Sequence, residues 1–126
     1  MAAKDPRARI LVADDDGSLR GFLKTALGHL GYAVTLCRNG ATALQRSRSG
    51  GYDLLLLDFR MGSPTGFEVL RSLRSRGIEV PVVIMSSDLP EETLAACAGI
   101  PNVSLLHKPF SLNVLRKTLL RHLPHR

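Results

Sequence analysis

The chain has 126 residues, the length of one ordinary domain, and at 44% hydrophobic and 22% charged it is too apolar for a disordered segment. No apolar run approaches the roughly 18 residues that span a bilayer, which argues against membrane insertion. Seventeen Lys and Arg against eleven Asp and Glu leave a formal charge of +6, so an acidic partner has to be considered.

Residues 1–8 lack the apolar stretch of a signal peptide and read as an N-terminal tail. Residues 9–13 (RILVA) form a short apolar strand that stops at Asp14, Asp15 and Asp16. Leu19, Phe22, Leu23, Ala26, Leu27 and Leu30 then recur at helical spacing, with Gly31 as the cap. Residues 32–37 read as a second strand and Gly40 to Arg48 as a second helix, closed by Gly50 and Gly51. Residues 53–57 (DLLLL) have the continuous apolar character of a strand covered on both faces, and Asp58 follows. After Gly62-Ser63-Pro64, residues 65–75 carry Phe67, Val69, Leu70 and Leu73 on one helical face. Pro81 leads into the strand VVIM, which ends at Ser86-Ser87, and Pro90 is expected in the first turn of a fourth helix. Residues 102–106 give a fifth strand ending at His107-Lys108-Pro109, and Ser111 reads as the N-cap of a last helix bearing Leu112, Leu115, Leu119 and Leu120.

Strict βαβαβαβαβα alternation with helical crossovers implies an α/β domain over residues 9–123, a doubly wound parallel sheet with helices on both faces. No linker or repeat within it suggests a second domain. The functional end of such a sheet is where its strands finish. Here those ends carry Asp14 and Asp15, Asp58, Ser86 and Lys108. Three carboxylates on one rim repel each other unless a cation joins them, and hard oxygen ligands suit Mg²⁺. A metal, an ammonium and a hydroxyl gathered around one carboxylate are what phosphoryl transfer to that carboxylate requires.

The motifs ILVADDD, YDLLLLDFRM with GFEVL after it, VPVVIMSS and LLHKPF occur in this order from about Arg9 to Leu123. Together they resemble the receiver domain of bacterial two-component response regulators. The resemblance implies a flavodoxin-like five-stranded parallel sheet in order 2-1-3-4-5. It implies that Asp58 is the phosphoacceptor, loaded from a sensor histidine kinase or a histidine phosphotransfer protein. By the same resemblance Asp14, Asp15, Asp58 and the backbone carbonyl of Arg60 hold Mg²⁺. Ser86 corresponds to the switch hydroxyl, Lys108 to the lysine that pairs with the phosphoryl group, and Ser87 to a small residue that leaves the site accessible. Pro109 corresponds to a proline that follows a cis peptide bond. The chain departs from the pattern at Gly62, where proline is common, with Pro64 two residues on. It departs again at Leu105, where many members carry an inward-swinging Tyr or Phe, so an aromatic switch is not available there.

The function implied is a phosphoacceptor signalling switch, self-phosphorylating and autodephosphorylating, with no separate substrate. The alternative is a receiver-fold interaction module that works without phosphorylation. A phosphohydrolase with an aspartyl-phosphate intermediate fits poorly, because such enzymes of the haloacid-dehalogenase kind place an acid where this chain has Arg60. Asp16 is expected to cap the first helix. Arg60 and Asp88 are expected to flank the mouth of the site, where either an ion pair between them would obstruct attacking water or both side chains would stay in solvent. The bases Arg20, Lys24, Arg46, Arg48, Arg71, Arg74, Arg76, Arg116, Lys117 and Arg121 are dispersed, and aromatics make up only 5%. They read as solvated helix faces, so nucleic acid is not the expected partner. Two cysteines, Cys37 and Cys97, are too few for a disulfide framework and point to a reducing, cytoplasmic compartment.

Overall fold

Short apolar runs, each followed by an amphipathic stretch, fold as five strands and five helices in alternation. The computed structural model describes residues 7–123, so most of the tail read at 1–8 lies outside the described residues. In chain order the elements are β1 (Arg9–Ala13), α1 (Gly17–His29), β2 (Ala33–Cys37), α2 (Gly40–Ser49), β3 (Leu54–Asp58), α3 (Gly66–Ser75), β4 (Val82–Ser86), α4 (Glu91–Ala98), β5 (Val103–His107) and α5 (Leu112–Leu120). The strands form one sheet in order β2-β1-β3-β4-β5, and every pairing is parallel.

Alternate side chains of each strand go to opposite faces. Leu11, Ala13, Leu55, Leu57, Val82 and Ile84 pack against Ala43, Val69, Leu70, Leu73 and Cys97 from α2, α3 and α4. Ile10, Val12, Leu54, Leu56, Val83 and Met85 pack against Leu23, Leu27, Leu115 and Leu119 from α1 and α5. Every residue of β3 and β4 is buried, while the edge strands β2 and β5 are only partly so. Each fully buried leucine or isoleucine contributes roughly 1.5–3 kcal/mol, which makes the central strands the rigid base of the molecule.

Register then fixes what meets at the carboxyl rim. Ala13 pairs with Leu57, so Asp14 emerges beside Asp58. Asp58 pairs with Met85, the residue before Ser86, and Ser86 pairs with His107, the residue before Lys108.

Several boundaries differ from the sequence reading. β3 starts at Leu54 and includes Asp58, because the Asp53 carboxylate turns back to accept from the Arg9 N–H at 2.7 Å. β2 begins at Ala33 rather than Tyr32. β5 begins at Val103, because Asn102 adopts a φ of 58° and cannot continue a strand. Pro90 stands outside α4 as its cap residue, with an extended ψ of 143°. The expected caps at Asp16 and Ser111 are present. Gly31 follows α1 with a φ of 96°, as a left-handed cap requires.

Candidate functional site

Asp14 continues directly from β1 and is fully buried. Its N–H still donates to the Cys37 carbonyl across β2 at 3.2 Å. Its Oδ1 accepts the Asp16 N–H at 2.9 Å, which tightens the turn that also carries Asp15. Asp58 is 5% exposed at the end of β3. Carboxylate oxygens of Asp14, Asp15 and Asp58 all lie within 4.8 Å of one another, with Asp15 on the open side. Lys108 crosses this cluster: its Nζ is 2.9 Å from Asp14 Oδ2 and 3.2 Å from Asp58 Oδ1. The Arg60 N–H approaches Asp58 Oδ1 at a long 3.4 Å.

Charge and burial compete here. Burial, and then the neighbouring Asp14 charge, hold the Asp58 carboxyl above its ordinary range despite the Lys108 ammonium and the Arg60 N–H. Burial pulls Lys108 down, but its hydrogen bond to Asp14 and the charges of both acids outweigh this and raise it. Three carboxylates against one ammonium leave an excess of negative charge, and the two buried acids have little water to disperse it. A hard divalent cation suits this set: oxygens close together, one acid open to solvent, and a lysine already fixed on one side.

Ser86 is buried at the end of β4, and its Oγ accepts the Asp88 N–H at 3.0 Å, leaving its own proton free to donate elsewhere. Its carbonyl accepts the Lys108 N–H at 2.8 Å, which locks the β4 and β5 ends together. Ser87 is exposed beside it. The Lys108–Pro109 peptide is cis, as the resemblance implies, and so is Ser63–Pro64, which the sequence reading did not foresee. Gly62 takes a φ of 87° in the loop after Asp58. Gly66 ends that loop, and a Cβ there would lie 2.6 Å from the Asp58 carbonyl oxygen, so the chain can pass only without a side chain.

Two expectations fail. Arg60 and Asp88 form no ion pair among the described residues; the Arg60 guanidinium lies over the Phe59 ring, 5.3 Å from its centre, so no charged lid closes the mouth. Arg20 and Arg74 are not solvated bases. Arg20 folds back over Gly17 and donates from Nη1 to the Asp14 carbonyl at 2.7 Å, securing the turn that carries the acids. Gly17 one turn earlier was the available signal. Arg74 turns into the protein at the opposite end of the sheet.

An open parallel sheet of this order, with acids, a hydroxyl and a lysine at its carboxyl ends, defines the class of flavodoxin-like signalling domains. The family model described as "Response regulator receiver domain" matches residues 10–120, and the chain belongs to that family. It is 38% identical to the response regulator MprA of Mycobacterium ulcerans over 109 residues, 85% of this chain and 46% of MprA. The chain therefore spans less than half the length of that relative. The chemotaxis protein CheY4 of Vibrio cholerae superposes with a TM-score of 0.83 at 28% identity, covering 93% of this chain and 99% of CheY4. The receiver domain of the sensor histidine kinase PA1611 from Pseudomonas aeruginosa PAO1, with a magnesium ion coordinated in its active-site cleft, superposes with a TM-score of 0.81 at 26% identity. That match covers 92% of this chain and 97% of the PA1611 domain. No helix among the described residues is long and apolar enough to cross a membrane.

Proposed function

We propose that this domain is a Mg²⁺-dependent phosphoacceptor switch, with Asp58 taking a phosphoryl group from the phosphohistidine of a sensor histidine kinase or phosphotransfer protein. The observation that carries this is Lys108 held between Asp14 and Asp58, with Asp15 completing a compact acid cluster. Asp14, Asp15, Asp58 and the Arg60 carbonyl are the residues that would hold the metal. When bound, the metal supplies charge neutralisation for the phosphoryl oxygens. The chain's own groups do the rest. An Asp58 oxygen forms the new P–O bond as the donor's P–N bond breaks, and the imidazole nitrogen keeps the electron pair and takes a proton from solvent. Lys108 offsets the charge on the transferred group. The Ser86 hydroxyl donates to it, drawing Ser86 and the loop after it toward the phosphoryl group. No separate substrate is turned over, and hydrolysis of the aspartyl phosphate resets the switch. The acidic pair, the lysine and the hydroxyl together weigh against a module that works without phosphorylation. Titration with beryllofluoride and Mg²⁺, followed by amide NMR, tests this. Saturable shifts around Asp58, Ser86 and Lys108 that need both components are expected; no shift in the wild type, with the fold intact, favours the phosphorylation-independent module.

A further inference from the structure

Of the three acids at the carboxyl rim, Asp15 is held least directly. Lys108 Nζ lies 2.9 Å from Asp14 Oδ2 and 3.2 Å from Asp58 Oδ1. The exposed Asp15 carboxylate makes no hydrogen bond or ion pair among the described residues. It nevertheless brings an oxygen within 4.8 Å of ligand atoms from the other two acids. A side chain with no bond of its own is placed by its backbone.

Two hydrogen bonds fix that backbone. The Asp16 N–H donates to Asp14 Oδ1 at 2.9 Å and fixes the peptide after Asp15. Arg20 Nη1 donates to the Asp14 carbonyl at 2.7 Å and fixes the peptide before it. Because each peptide is planar, these bonds orient both planes that meet at the Asp15 Cα. The Asp14 N–H is taken by the Cys37 carbonyl at 3.2 Å, so the turn hangs from β2 on one side and from Arg20 on the other.

The start of α1 gives Arg20 this reach. Its own N–H donates to the Asp16 carbonyl at 3.0 Å, one helical turn back. The Asp16 side chain caps the same turn by accepting from Ser18 and Leu19. Residue 17 is glycine, and a Cβ there would lie 3.3 Å from Arg20 Nη2, so the guanidinium crosses a position without a side chain. A charged donor on a carbonyl makes one of the stronger hydrogen bonds.

We propose that Arg20 is a positioning residue for the cation site: it holds the Asp14–Asp15 peptide so that the Asp15 carboxylate joins Asp14 and Asp58, and thereby sets the affinity for Mg²⁺. The proposal rests on the reading of the acid cluster as that site. Charge alone argues the other way, which makes the sign decisive. A guanidinium near three carboxylates competes with a cation, so its removal at fixed geometry would tighten Mg²⁺ binding. Loss of a group that orients a ligand weakens metal binding, typically about tenfold or more.

Titration of the full chain with MgCl₂, followed by amide NMR, reads this affinity without any phosphoryl donor. Arg20→Met keeps a long, helix-favouring side chain while removing donor and charge, and Kd for Mg²⁺ is expected to rise about tenfold. Arg20→Gln is expected to move Kd in the same direction and carries the test if Arg20→Met fails to fold. In an Asp15→Ala background, either substitution is expected to change Kd by less than about twofold, because the ligand that Arg20 places is already gone. Unchanged or tighter binding in the folded Arg20 variants overturns the proposal. So does an equal loss with and without Asp15, which marks a general loosening of the turn. No saturable Mg²⁺ binding by the wild type overturns the reading of the site, and the proposal with it.

Discussion

α3 and α4 lie on the same face of the sheet and are built to opposite standards. α3 opens with a reciprocal cap, Thr65 accepting from the Glu68 N–H at 3.1 Å while Glu68 accepts from the Thr65 N–H at 2.8 Å. It buries Gly66, Val69, Leu70 and Leu73, and Gly66 sits against the Asp58 carbonyl. α4 has no side-chain cap, buries one residue, and leaves Leu94 47% exposed. The difference places rigidity beside the carboxylate that must keep its geometry and looseness beside the loop that leaves Ser86. The switch proposed above needs such a division, because firm packing keeps the acids in place while a loosely packed element can shift.

The largest expected effect tests the division itself. Leu70→Ala empties a fully buried site and should cost about 3 kcal/mol in urea unfolding, whereas Leu94→Ala should cost less than about 0.5 kcal/mol. Equal costs would mean that α4 is packed as firmly as α3. A glycine pair sharpens the contrast. Gly66→Ala drives a Cβ into the Asp58 carbonyl and should cost about 2 kcal/mol by forcing backbone apart. Gly99→Ala, after α4, meets nothing closer than 3.8 Å and should change stability by no more than about 0.5 kcal/mol.

A smaller effect comes from the charge at the firm end. Asp58 titrates above its ordinary 3.8 in the fold, so the native state holds this proton more tightly than the unfolded chain. The ionised carboxylate is therefore a cost to stability above the native value. Asp58→Asn should raise stability near neutral pH, and the gain should fade as pH falls through the native value toward 3.8. Thermal unfolding of both proteins across that range checks the sign.

The smallest effect lies at the far end of α5, where His122 Nε2 and Ser104 Oγ are 2.6 Å apart. Burial, and then the Arg121 charge, hold His122 below its ordinary 6.5. That stability is present above 6.5 and is lost as pH falls through the lower native value. As pH falls below 6.5 the wild type should lose more stability than His122→Gln in urea melts.

The sequence carried most of the fold because strand and helix periodicities alternate cleanly, and four of the strands finish at or just before the polar residues Asp14, Asp58, Ser86 and Lys108. Asp14, Asp15, Asp58, Ser86 and Lys108 were legible together for that reason, although none would stand out alone. The caps at Asp16 and Ser111 were legible from residue type and position. Arg20 and Arg74 were not, because a guanidinium that folds back onto carbonyls looks in sequence like any exposed base. Their targets are backbone atoms, which carry no residue signature. The Arg60–Asp88 pair was a reasonable inference from strand adjacency, but loop conformation decides such contacts, and Phe59 offered Arg60 a nearer face. The Thr65–Glu68 cap has the spacing of a capping box, a weaker signal than the turn residues Gly62 and Pro64 just before it.

The central claim is that Asp58 accepts a phosphoryl group within the acid cluster. Intact-mass spectrometry after incubation with acetyl phosphate tests it most directly, with and without Mg²⁺, on the wild type and on Asp58→Asn. One phosphoryl group per wild-type chain, dependent on Mg²⁺, and none on Asp58→Asn is the expected result. The same phosphorylated species on the Asp58→Asn protein would contradict it.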